Sequence, residues 1–122
     1  MAVRCFMAET HDDRQRPGAM WWVECGTRSD GSCVYRWGDC PGRHIHIRLP
    51  DGRVFAPDSR AANCGRPEDG HHRCWRTTGE PPNLSIVGSG CGSMFSIGAI
   101  PPRFPFHGWL RGGVLSDVSE GR

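Results

Sequence analysis

The residues best equipped for chemistry lie between Asn63 and Trp75, where Cys64, His71, His72 and Cys74 fall within eleven positions. The loop joining them, Gly65-Arg66-Pro67-Glu68-Asp69-Gly70, has no apolar pattern and so buries nothing of its own. A metal ion is the economical way to hold such a loop. Structural zinc takes four thiolate and imidazole ligands, usually assembled from two short pairs. A second half-site is available in Cys40, His44, His46, Cys91 and His107. The strong form of the signal, a repeated C-x2-C, is missing. The nearest spacings are Cys33-x6-Cys40, Cys40-x3-His44 and Cys64-x9-Cys74.

Each candidate has a plainer alternative. Cys25 and Cys33 sit in apolar runs and read as small buried hydrophobes. Cys40, Cys64, Cys74 and Cys91 sit in or beside turn-rich stretches and read as zinc ligands. Side chains of the adjacent His71 and His72 diverge, which makes His72, nearer Cys74, the candidate. His44 and His46 stand two apart on a predicted strand, so both imidazoles leave one face about 7 Å apart at Cα. With a third ligand and an open position they would make a hydrolytic zinc site. A solvent-washed polar face is the favoured alternative there, because no paired carboxylate or obvious general base accompanies them in the sequence. A third reading makes Cys91, in Gly88-Ser89-Gly90-Cys91-Gly92, a nucleophilic thiol with His107 as base. That would need Cys91 unligated. No G-x-S-x-G elbow, phosphate loop, HExxH or dinucleotide fingerprint is present.

The elements that must position these residues are short. The 122 residues fit one domain. Hydrophobic content is 37%, with 17 Gly and 10 Pro, which means many turns and a thin core that needs a staple. Seven cysteines, an odd number, and an N-terminus without an apolar leader pattern favour metal over disulfides and a reducing compartment. No run approaches the 18 apolar residues of a membrane span. The net charge is +2, and all basic residues are Arg. Codon bias explains the Arg preference more simply than ligand selection. The charge also falls short of a nucleic-acid footprint.

In chain order, residues 1–18 read as a polar, peripheral arm whose Cys5 is the odd, spectator thiol. Residues 19–122 read as one Cys/His-rich β domain. Met20–Cys25 and Ser32–Trp37 are strand candidates, separated from each other by a Gly-rich loop. One of Trp21 and Trp22 must face outward, as a possible interaction surface. Gly38 to Gly42 is a turn carrying Cys40. His44–Leu49 alternates cleanly, and Pro50-Asp51-Gly52 returns it as a hairpin through Arg53–Ala56. One helical turn is expected around Asp58–Ala62, capped by Asp58 or Ser59. Cys74 to Pro82 reads as a turn-rich link, Leu84–Val87 and Met94–Ile97 as strands, and Pro-rich Ile100 to Pro105 as loop. Phe106–Leu110 and Val114–Val118 close the chain as a hairpin about Arg111-Gly112-Gly113.

Taken together, Asp58-Ser59-Arg60-Ala61-Ala62-Asn63-Cys64, His72-Arg73-Cys74-Trp75, Gly79-Glu80-Pro81-Pro82 and His107-Gly108-Trp109-Leu110-Arg111-Gly112-Gly113 carry a resemblance. Over roughly residues 38–118 the chain resembles a family of small Cys/His-rich bacteriophage proteins, often labelled ammonia monooxygenase. That family is itself similar to an uncharacterised zinc-binding bacterial and phage domain. The resemblance implies a zinc-binding β module without established activity, with Cys40, Cys64, Cys74, Cys91 and His107 at the Cys/His positions. Where the related domain has closely spaced cysteines, this chain has His44 after Cys40-Pro41-Gly42-Arg43, so His44 stands in for a thiol. The oxygenase label is not followed, because no two-His-one-carboxylate array is fixed by the sequence.

The expectation is a small, mostly antiparallel β domain of hairpins and long Gly/Pro-rich loops, stapled by structural zinc. It would be a non-catalytic phage module acting in the host bacterial cytoplasm or in the virion, by binding a host or virion protein. The alternatives are the His44/His46 zinc hydrolase and the Cys91/His107 thiol enzyme.

Overall fold

A computed structural model describes residues 2–26, 29, 42–58, 74–88 and 108–117. These carry nine strands: β1 (Ala2–Arg4), β2 (Phe6–Met7), β3 (Ala19–Glu24), β4 (Arg43–Arg48), β5 (Val54–Phe55), β6 (Arg76–Thr78), β7 (Ser85–Gly88), β8 (Gly108–Arg111) and β9 (Val114–Asp117). The helical structure among the described residues is one 3-10 turn, Asp13–Gln15. The architecture is mostly β, in three small sheets ordered β1-β9-β8, β2-β3-β4-β5 and β6-β7.

The four-stranded sheet is built on alternation. β3 and β4 pair antiparallel, with Met20 opposite Ile47 and Trp22 opposite Ile45. That register puts Met20, Ile45 and Ile47 on one side, where they are buried. β4 turns back into β5 through Pro50-Asp51-Gly52, as the sequence predicts, with Ile47 opposite Phe55. Gly52 takes the positive φ of 92° that the turn requires. Asp51 braces it, accepting the Arg53 backbone N–H at 3.1 Å and the Arg53 Nε at 2.8 Å. The closing hairpin is also as expected, Arg111 pairing with Val114 across Gly112-Gly113. Both glycines have positive φ, 57° and 76°, the pattern of a type I′ turn whose twist matches its strands. A Cβ on Gly113 would lie 2.3 Å from the Pro82 carbonyl oxygen, so the position also needs the missing side chain for space.

The N-terminal segment corrects the expectation of a peripheral arm. β1 pairs antiparallel with β9, and β2 pairs parallel with β3. One extended stretch thus leaves one sheet and joins another at Cys5, whose N–H donates to the Gly113 carbonyl at 2.7 Å. Cys5 is buried and belongs to the core with Met20, Ile45, Ile47, Leu49, Phe55, Leu84, Ile86, Leu110 and Leu115. The spectator thiol of a solvated arm is a core residue. The second correction concerns the link from Cys74 to Pro82. It holds β6, paired with β7 across a register shift at Arg76/Thr77. Leu84–Val87 appears as β7, displaced by one residue.

Trp21 is buried and Trp22 is 38% exposed, the division the adjacent pair demands. The expected strands at Ser32–Trp37 and Met94–Ile97, the Cys40 turn and the loop from Ile100 to Pro105 lie outside the described residues. So does the helical turn beyond Asp58.

Candidate functional site

The second face of β3–β4 holds Trp21, Val23, His44, His46 and Arg48, since Trp21 lies opposite His46 and Val23 opposite His44. This face was expected to be washed by solvent. It is not: His44 is 2% exposed and His46 half-buried. Burying an imidazole is costly unless its nitrogens are bonded. His44 Nδ1 is bonded to the Asp58 carboxylate. His46 meets the Trp21 ring edge-on, with centroids 5.9 Å apart and planes at 72°. Burial pushes the His46 imidazole below its usual proton affinity, and the neighbouring His44 and Arg14 push the same way. His46 is therefore held toward its neutral, ligating form.

Asp58 is the partner that sequence reasoning missed, having been read as a helix cap. A signal for it was present. Continuing the β4–β5 register of Ile47 with Phe55 past the end of β5 places Asp58 across from His44. The carboxylate–imidazole pair fixes the ring's orientation and makes Nε2 the nitrogen through which His44 would hold a metal.

Of the seven candidate ligands, His44 and Cys74 are described; Cys40, Cys64, His72, Cys91 and His107 lie outside the described residues. Among the described residues no group of three or more His, Cys, Asp or Glu is placed to hold a metal ion. Cys74 is buried at 1% exposure, just before β6. Its neighbour Trp75 stacks edge-on against Phe55, with centroids 5.2 Å apart and planes at 85°. The Trp75 indole nitrogen is buried without a hydrogen-bond acceptor. Cys25, expected as a buried hydrophobe, is half-buried just after β3, and its Sγ lies 3.4 Å from the Gly26 carbonyl oxygen. Cys5 carries an unpaired thiol that burial pushes up to about 11, with Arg4 opposing.

The exposed Trp22 lies at the open end of the same strand pair, with the Arg43 guanidinium carbon 3.9 Å from its ring centroid. No helix among the described residues is long and apolar enough to cross a membrane. Compared with known protein families, curated proteins and solved structures, the chain matches none.

Proposed function

We propose that the protein is a zinc-stapled β module that acts by binding another protein rather than by catalysis. The observation that carries this reading is the pairing of the buried His44 imidazole with the partly exposed Asp58 carboxylate. A carboxylate on one nitrogen of a buried histidine is the usual outer partner of a metal-bound imidazole. His44 is then one ligand, and thiolates among Cys40, Cys64, Cys74 and Cys91 supply the rest, with His72 and His107 as further candidates. The burial of Cys74 supports a protected ligand at that end. Zinc held this way contributes on the order of 10 kcal/mol at neutral pH, enough to offset a thin core. The partner-binding surface is the Trp22–Arg43 stack, an exposed aromatic–arginine pair of the kind that dominates protein interfaces. The setting that goes with this reading, through the phage resemblance, is the host bacterial cytoplasm or the virion.

The second reading, a zinc hydrolase, is favoured by one observation: His46 shares the His44 face and is held toward neutrality. Native mass spectrometry of chelator-free protein separates the two. The stapled module binds one zinc per chain, loses it and unfolds on Cys64→Ser or Cys74→Ser, and loses it on His44→Ala. It keeps zinc and fold on His46→Ala. A folded His46→Ala chain without zinc would instead establish the open site and the enzyme reading. A metal-free folded chain would end both.

A further inference from the structure

Trp21 is the meeting point of two guanidinium groups. The Arg14 guanidinium carbon lies 5.7 Å from the indole centroid and that of Arg48 lies 5.5 Å from it. The two are locked together at their base, because Arg48 Nε donates to the Arg14 carbonyl at 2.8 Å. A second Arg48 donor, Nη1, bonds the Gly52 carbonyl at 2.7 Å. The strand and the 3-10 turn are thereby pinned to each other, and the turn packs against β3. Both arginines are half-buried. Among the described residues neither forms an ion pair: Asp58 is committed to His44 and Asp51 to Arg53. The turn's own Asp13 accepts the Glu9 backbone N–H instead.

Two like charges gathered beside one low-dielectric ring repel, and the repulsion grows as water is excluded. Cation–π attraction to a shared indole offsets part of it, but a ring carries no net charge. The group that would neutralise this arrangement is an anion, and the remaining donors set its class. Arg14 keeps its whole planar fork, and Arg48 keeps Nη2, so two separate guanidinium groups have donors to offer. A carboxylate has two acceptor oxygens and one negative charge to set against two cations. A tetrahedral dianion with three terminal oxygens satisfies both. We propose that Arg14 and Arg48, converging on Trp21, form a binding site for a phosphate group. Trp21 is 7% exposed and so offers no stacking surface for a base; recognition stops at the phosphate. The site stands apart from the zinc reading and needs no metal at His44.

The test is calorimetric titration of the full chain with orthophosphate at fixed ionic strength set by chloride. Phenyl phosphate serves as a second ligand, and thermal unfolding is followed in parallel. Saturable binding is expected, with a phosphate-dependent rise in Tm. In Arg14→Gln the affinity should fall by about tenfold or more, the loss of one charge-assisted fork. Arg111→Gln, which removes a guanidinium stacked on Trp109 elsewhere, should change nothing. Arg14→Lys, keeping charge but not the fork, should fall between. Binding of both ligands assigns the site to phosphomonoesters, and binding of orthophosphate alone assigns it to free phosphate. The proposal is overturned if wild type shows no saturable response beyond chloride. It is equally overturned if Arg14→Gln and Arg111→Gln, both folded by circular dichroism, lose affinity alike.

Discussion

The two faces of the β3–β4 pair are nearly equally dry and chemically opposite. On one, Ile47 and Met20 are fully buried among aliphatic neighbours. On the other, one residue along, His44 is 2% exposed against a carboxylate and Trp21 is 7% exposed among imidazole and guanidinium groups. The core face is stabilised by apolar area removed from water, which is non-directional and tolerant of exchange. The polar face must satisfy each buried group individually, and a chain gains little stability from doing so. Residues kept there at that cost are the ones to examine for function.

The comparison can be broken first from the core side. Ile47→Ala should cost about 2–5 kcal/mol by chemical denaturation, through lost transfer energy and the cavity left behind. A loss below 1 kcal/mol would mean that this face is not the organising core. Cys5 gives the core side a pH signature. Its folded proton affinity, at about 11, lies above the ordinary value of 9.0, so the folded state favours the neutral thiol. Stability from this group is complete below pH 9 and declines as pH rises toward 11, by up to about 2–3 kcal/mol. The decline should disappear in Cys5→Ala, read as a change in slope against pH rather than in level.

On the polar face, Asp58→Asn should cost about 1–3 kcal/mol, because it leaves the buried His44 imidazole with a weaker, uncharged partner. Its diagnostic is zinc: metal affinity should drop about 10–100-fold, as outer-shell changes do. An effect on stability with no effect on metal content would make the pair purely structural. The smallest effect is expected at Trp22→Ala, within about 0.5 kcal/mol of wild type in stability. A larger loss would show that the indole packs inward and is no docking surface.

What the sequence made legible was local. Pro50-Asp51-Gly52 and Gly112-Gly113 announced their hairpins because turn chemistry acts within four residues. The alternation through His44–Leu49 and the split of Trp21 from Trp22 followed from the period of two. The arm failed because its pairing with β9 and β3 is invisible in its own polar composition. Neither Ala2–Arg4 nor Phe6–Met7 is long enough to show a pattern. The polar face of β4 failed for a related reason: polarity predicts exposure unless the partner is known, and the local capping preference of Asp58 conceals its pairing with His44. Of the candidate site, the prominence of His44 was legible and its carboxylate was not.

The pairing of Ala2 with Ser116 and Arg4 with Val114 has a consequence for how the protein is made. β1 has its partner far along the chain, with Ala2 opposite Ser116. Until β9 has been synthesised, β1 lacks its partner and Cys5 has no Gly113 carbonyl to bond. Closure of the β1-β9-β8 sheet therefore carries the loop-closure entropy that makes non-local β topologies slow. A nascent chain arrested before residue 114 should expose Cys5 to alkylating reagents. The released chain should protect it.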